Sequence, residues 1–398
     1  MMKGFSLLKS LATISLGAVL MVGCSSGNSA APAANGGSTP AQTPAAEGAG
    51  GEVTAQIGVV GFLSGSGAAY GEAQKAGLEL ALGELNEANK GKLKMELKFE
   101  DSGGEKEGAI NAVNKLINQD NVVAIIGPTL SGEMFAAGPV ANEAEVPIFG
   151  ISNTSEGIND IGEYVFRNSL PESIAIPTAM KAAVEKKGIK KVALIYASND
   201  DFSVNGYKVM KATAEKMGLE ITGEATFSNG DVDFSAQLTK LKQTNPDALL
   251  VSALYKEGSM VVKKARELGI TATILGGNGF NNPKVFEIAG PAADGLIVAT
   301  PFSPEKQDDK VQAFVKAFEA KYNKKPDQFA AQAYDSLYIM SQSLLGAGKA
   351  DREELRNQLA QLKDFTGVSG KLSFDEKRNP IGDAVVVVAK DGKFVPFE

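Results

Sequence analysis

The chain of 398 residues contains no histidine, no tryptophan and one cysteine, Cys24. Without histidine there is no Ser-His-Asp triad, no Cys-His pair and no imidazole-bound zinc. A lone cysteine cannot close an internal disulfide, so its presence needs a separate reason. Positive charge is in deficit: 40 Lys and Arg stand against 47 Asp and Glu, net −7. That balance argues against a nucleic-acid partner. The lysine pairs Lys186–Lys187, Lys190–Lys191 and Lys324–Lys325 read as solvated surface.

What is present suits a globular body. Hydrophobic residues make up 43% and charged residues 22%, so the bulk of the chain can bury a core, and its length favours two domains. The first residues read differently. Lys3 and Lys9 precede an apolar run, Leu11 to Val22, that ends in Gly23 and Cys24. At about 12 residues this run is too short to span a bilayer comfortably. Basic start, short apolar stretch and small residue before a cut make residues 1–23 a secretory signal. The stretch "LMVGC" resembles a bacterial lipobox, although Met21 stands where leucine is preferred. The resemblance makes Cys24 the lipid-attachment residue and a membrane tether. Residues 24–51 are rich in Ala, Gly, Ser, Pro and Thr and carry a single charge, Glu47, as a flexible tether does. Loss of Lys3 and Lys9 with the signal leaves 38 basic against 47 acidic side chains, net −9.

From Glu52 strand-like and helix-like segments alternate, which predicts a parallel α/β sheet covered by helices. "VTAQIGVVGFL", "KLKMELKFED", "VVAIIGP" and "VPIFGIS" are strands separated by helices over Tyr70–Asn86, Glu105–Ile117 and Ser131–Asn142. After "YVFRNSLPES" the pattern begins again, with strands "KVALIYA", "LEITGEATF", "DALLVSA", "ATILGG" and "GLIVATPF". Three further helices start at Lys310, Phe329 and Arg352. Two late strands, "GKLSF" and a hairpin turning at Asp391–Gly392, are expected to complete both earlier sheets.

Two motifs invite a dehydrogenase reading. Gly61, Gly65 and Gly67 spell GxxxGxG after the first strand, and Tyr207 and Lys211 fit a YxxxK catalytic pair. In such an enzyme the lysine lowers the pKa of a tyrosine acid. The serine that should precede the tyrosine is missing, with Leu194 and Ile195 in its place, and both partners sit on an ordinary amphipathic helix. An exported chain is also remote from nicotinamide. No enzyme activity, cofactor or metal is expected: "NGDVDF" and "SNDD" lack the ligand spacing of a calcium loop.

"GFLSGSGAAYGEAQKAGLELALGELN", "KFEDSGGEKEGAINAVNKLINQDNVVAIIGPTLSG", "YVFRNSLP" and "VDFSAQLTKLKQTNPDALLVSALYKEG" resemble the solute receptors of ABC importers, closest to the leucine/isoleucine/valine-binding class. The resemblance implies a type I periplasmic-binding fold: two Rossmann-like lobes joined by a three-strand hinge. It places one lobe at residues 52–171 and 301–365 and the other at 172–300 and 366–398. It also implies a branched-chain or similar small amino acid in the interlobe cleft, delivered to ABC permease subunits. A receptor for another small carboxylate or amide, or one serving a sensor, is the alternative.

The expected pocket follows from the matched positions. Ser131 and Thr154 would bind the ligand carboxylate, although serine and threonine at such places can merely cap helices. Asn153 would offer its backbone carbonyl to the ammonium. Tyr70 would line the cleft, Phe202 would close from the second lobe, and Phe329 and Tyr334 would lie near. Asn278, in "LGGNGF", stands where amino-acid receptors usually carry an acid. A charge-assisted bond is roughly twice as strong as a neutral one. Either another acid serves, with Asp200, Asp201 and Glu257 nearby, or the ligand lacks an ammonium. Asn278 also suits a simple glycine-flanked turn.

Overall fold

The computed structural model describes residues 51–398; the signal segment, Cys24 and the tether up to residue 50 lie outside the described residues. The first lobe builds on β1 (Val53–Gly61), α1 (Ala68–Ala88), β2 (Leu93–Asp101), α2 (Lys106–Asn118), β3 (Ala124–Ile126), α3 (Ser131–Glu143), β4 (Ile148–Gly150) and β5 (Val165–Arg167). Its five strands are all parallel, in the order β2-β1-β3-β4-β5. The second lobe continues with α4 (Glu172–Lys187), β6 (Lys191–Ala197), α5 (Asp201–Lys216), β7 (Glu220–Phe227), α6 (Ser235–Gln243), β8 (Ala248–Ser252), α7 (Tyr255–Glu267), β9 (Thr273–Gly276), α8 (Lys284–Ala289) and β10 (Ile297–Thr300). The parallel strands repeat the same winding, β7-β6-β8-β9-β10. β8 is buried along its whole length, as a strand covered by helices on both faces must be.

The chain then returns. α9 (Asp309–Tyr322), α10 (Gln328–Ala347) and α11 (Arg352–Ala360) belong with the first lobe, where α10 lies along α1. Asp308, Asp327 and Asp351 cap these helices, each accepting from backbone N–H groups of the first turn. Left-handed Asn323 and Gly348 end α9 and α10. β11 (Phe365–Gly367), β12 (Gly370–Phe374) and β13 (Pro380–Ile381) follow, and β14 (Val385–Lys390) and β15 (Lys393–Pro396) finish the chain. The chain therefore passes from the first sheet to the second after β5, leaves the second after β10 and returns to it at β14.

The late strands depart from expectation. β14 adds antiparallel to β10 and β15 to β14, so the second sheet grows to seven strands. The first sheet gains none, because β12 pairs with β11 and β13 in a small antiparallel sheet of its own. The hairpin does turn at Asp391–Gly392, where φ values of +50° and +76° match a two-residue turn with both central residues left-handed.

The glycine-rich turn after β1 does not cradle a phosphate. A Cβ on Gly67 would lie 2.1 Å from the Phe62 ring, and one on Gly104 2.3 Å from it. A Cβ on Gly71 would meet the Phe62 carbonyl at 2.3 Å. These glycines leave room for Phe62 to fold back under the start of α1. The turn is packed by its own chain.

Candidate functional site

Both lobes share a winding that reverses direction beside the first strand of the lobe, and ligands of open α/β sheets bind where it reverses, beyond the carboxyl ends of the strands. In the first lobe these ends are the loops after β1, β3 and β4. In the second they are the loops after β6, β8 and β9. The two sets face each other and enclose a narrow pocket, partly open to solvent. Five of the seven expected ligand residues line it: Tyr70, Ser131, Phe202, Asn278 and Phe329. Leu254, Gly279, Thr129, Leu130 and Ser152 complete the wall.

One end of the pocket is suited to an anion. α3 begins at Ser131, and its N-cap is Leu130, which has no capping side-chain oxygen. Ser131 is thus the first residue inside the helix rather than its cap. Its hydroxyl accepts from the Ser155 N–H at 3.3 Å. The first N–H groups of a helix have no partner within it and carry the positive end of the dipole. Glu133 answers the Leu130 N–H at 2.7 Å, and burial pushes its carboxyl up to about 7. Thr154 caps no helix either; its Oγ1 is buried with no hydrogen-bond partner among the described residues.

The opposite wall is aromatic. Tyr70 packs edge-on against Tyr255, with ring centroids 4.9 Å apart, and tilted against Phe329 at 4.6 Å. Its hydroxyl donates to the Gly279 carbonyl at 2.6 Å and accepts from the Tyr255 N–H at 2.7 Å. Tyr70 belongs to the first lobe and both partners to the second, so this one side chain ties the lobes across the cleft. At the cleft mouth Lys106 meets Asp201 at 2.6 Å, again across the lobes.

Several expectations need correction. The Asn153 carbonyl, expected to face an ammonium, already accepts from Arg167 Nη1 at 2.8 Å and Ser169 Oγ at 2.9 Å. Asn153 is fully buried behind the pocket wall, and its side chain donates to the Leu130 carbonyl at 2.8 Å. Tyr334 is not at the cleft: its hydroxyl bonds Glu84 and its ring packs on Phe314 at 4.6 Å. The proposed substitute acids are committed elsewhere. Asp200 caps α5 through the Ser203 N–H at 2.9 Å, Asp201 pairs with Lys106, and Glu257 accepts from the Gly230 N–H at 3.2 Å. Asn278 opens a single 3₁₀ turn, and its side-chain oxygen accepts from Gln328 Nε2.

Three supporting residues escaped the sequence reading. Gln74, four residues after Tyr70 on α1, bonds both Ser152 Oγ (2.9 Å) and Thr129 Oγ1 (2.8 Å). Thr129 in turn accepts from the Phe62 N–H at 3.0 Å, so one glutamine ties together three loop ends. A polar residue buried at i+4 from Tyr70 was the available signal. Arg167 is fully buried at the end of β5, and burial brings its guanidinium down to about 10. It donates to the Asn153 and Ser155 carbonyls at 2.8 and 2.6 Å and so fixes the loop that carries Thr154.

The dehydrogenase pair serves another end. Tyr207 donates to Glu224, which also pairs with Lys211 at 2.9 Å, and Tyr207 stacks on Tyr196 at 4.0 Å. The Glu224 bond raises the Tyr207 pKa, opposite to what a catalytic tyrosine requires. A second hollow of about 250 Å³, walled by Phe286, Phe302 and Phe394, shares no residue with the cleft pocket and none of its lining side chains has an unpartnered buried polar atom. Among the described residues no acidic cluster is placed to hold a metal ion, and no helix is long and apolar enough to cross a membrane.

Comparison with known proteins gives a consistent result. A family described as periplasmic binding protein matches residues 54–393. A leucine-, isoleucine-, valine-, threonine- and alanine-binding protein of Pseudomonas aeruginosa is 27% identical over 81% of this chain and 86% of its own. The branched-chain amino acid transporter substrate-binding protein LivJ of Streptococcus pneumoniae, solved with isoleucine, is 34% identical. Its TM-score is 0.80, over 86% of this chain and 97% of that one. A solute-binding protein of an R. palustris ABC transporter, solved with benzoate, is 25% identical with a TM-score of 0.78, over 86% and 95% of the two chains.

Proposed function

Because this chain belongs to the periplasmic binding protein family, whose members are extracytoplasmic substrate receptors, we propose that it is an importer receptor for a branched-chain or similar small amino acid. On this reading the ligand lies between the lobes, which close over it and present it to ABC permease subunits. The observation that carries the reading is the two-ended pocket. The α3 N-terminus and Ser131 suit a carboxylate, while Tyr70, Phe202, Leu254 and Phe329 offer an apolar wall to a short aliphatic side chain. The lobes divide at about residues 52–171 with 301–365 and 172–300 with 366–398. Cys24 carries the lipid that keeps the receptor at the outer face of the membrane.

A second reading has one observation in its favour. Asn278 carries no charge at the position where an acid is expected, which suits a carboxylate ligand without an ammonium. The benzoate-bound relative has the same fold. A thermal-shift screen separates the two. Leucine, isoleucine, valine, threonine and alanine are set against benzoate and 4-methylpentanoate. At a ligand concentration 100 times Kd, stabilisation is about 2.7 kcal/mol, several degrees in Tm. Stabilisation by amino acids supports the first reading. Stabilisation by the plain acids alone overturns it.

A further inference from the structure

An α-amino acid needs a negative charge for its ammonium, and the position expected to provide one holds Asn278. Asp200, Asp201 and Glu257 are each bound to other groups. A fourth acid stands directly behind the pocket wall. Glu172 is the first residue of α4, where the chain has just crossed from the first lobe. It is fully buried, and its own N–H donates to the Thr154 carbonyl at 3.1 Å. Its Oε1 accepts from the Asn278 N–H at 2.9 Å. The carboxylate lies against Gly277, where any Cβ would sit 2.7 Å from Oε1. Glu172 is thus wedged between the Thr154 loop and the Asn278 turn, and the turn lines the pocket.

Its other oxygen, Oε2, is buried with no hydrogen-bond partner among the described residues, and so is Thr154 Oγ1. Ser152 lines the pocket, and its carbonyl accepts no hydrogen bond among the described residues. A buried acceptor left without a donor is costly, and a carboxylate oxygen most of all. An ammonium brings three donors and no acceptor. The chemistry of these acceptors matches it. We propose that Glu172 supplies the counter-charge for the ligand's ammonium, with Thr154 Oγ1 and the Ser152 carbonyl as its other acceptors. The acid has moved from the turn after β9 to the start of α4, and Asn278 serves by lending its N–H to orient it. Glu133 also has a buried oxygen without a partner, but it stands in the first turn of α3, where the helix N-terminus favours the ligand's carboxylate.

This inference rests on the amino-acid reading, and the test separates the two. Leucine and 4-methylpentanoate, the same skeleton without the ammonium, are titrated calorimetrically into wild type, E172Q, E172D and E133Q. E172Q is expected to weaken leucine at least 30-fold while changing 4-methylpentanoate by less than threefold. E172D keeps the charge but withdraws it, and should fall between. E133Q should not discriminate between the two ligands. If wild type binds leucine and E172Q binds it within threefold, or if E172Q weakens both ligands equally, Glu172 is not the counter-charge and the receptor reading survives. If wild type binds 4-methylpentanoate but none of the five amino acids, the amino-acid reading itself fails and this inference with it. Melting of each variant by circular dichroism establishes folding, and E172D carries the test if E172Q does not fold.

Discussion

Replacing Tyr70 with phenylalanine removes one oxygen and leaves the ring. The contacts with Tyr255 and Phe329, at 4.9 and 4.6 Å, stay in place. What disappears is a pair of hydrogen bonds, to the Gly279 carbonyl and from the Tyr255 N–H, both reaching from one lobe to the other. Burial holds the Tyr70 pKa well above its usual value, so the hydroxyl stays protonated and both bonds persist at any physiological pH. In the closed arrangement Y70F strands two backbone groups in a dry interface. Each stranded group costs roughly 1–3 kcal/mol. When the lobes part, water reaches both groups and the cost vanishes. The loss therefore falls on closure rather than on folding of either lobe. Closure should weaken by about 2–6 kcal/mol, which is roughly 30-fold or more in ligand affinity. Calorimetric titration with the tightest-binding amino acid reads this directly, and a denaturant melt without ligand reads stability. The expected pattern is a large affinity loss with a small change in the melt. An affinity change below threefold would refute the view that Tyr70 straps the lobes together. A large loss of stability without ligand would show that the lobes stay closed on their own.

Two further outcomes concern stability. Glu133 and Glu172 are pushed up to about 7 and Asp327 and Asp335 to about 6, all by burial. Such groups bind more protons folded than unfolded, so stability without ligand falls as pH rises from about 4.5 to 7, by roughly 1.4 kcal/mol per pKa unit at most. Tm measured at pH 5 should exceed Tm at pH 7.5; the reverse order would mean that these carboxyls are not held protonated. Among the glycines, G67A forces the Phe62 ring to move and should cost about 1–3 kcal/mol. G83A, in the middle of α1 with open space around it, should gain roughly 0.5–1 kcal/mol. Urea midpoints of the two variants moving in the same direction would contradict the packing described for the turn.

The larger elements were readable because their signals are local. "DALLVSA" is apolar throughout and became the buried β8, and the helix expected over Tyr70–Asn86 runs Ala68–Ala88. What escaped was short. β5 and β11 have three residues each, β13 two and α8 six, too few for any periodicity to register. β12 has an ordinary strand sequence, yet its partners are β11 and β13, and no residue in "GKLSF" says so. The site divides in the same way. Tyr70, Ser131, Phe202, Asn278 and Phe329 come together from five separate segments, as their positions after strands or on facing helices allow. Tyr334, five residues after Phe329, falls on another face of α10 and packs away from the cleft.

By itself the sequence determined which chemistry is absent, that strand and helix alternate in two runs that build parallel sheets, and where the strands end. It did so because the lack of histidine, the alternation of strand and helix and the end of a strand are all properties of short stretches. The tertiary structure decided which groups are already taken. Asn153 has a carbonyl like any other, until Arg167 and Ser169 occupy it. Glu172 looks like the first acid of an ordinary helix, until burial leaves one of its oxygens without a donor. The glycines after β1 spell a phosphate loop, until the ring of Phe62 fills the space they leave. Hydrogen-bond capacity and space are limited, and only the packed chain fixes who uses them.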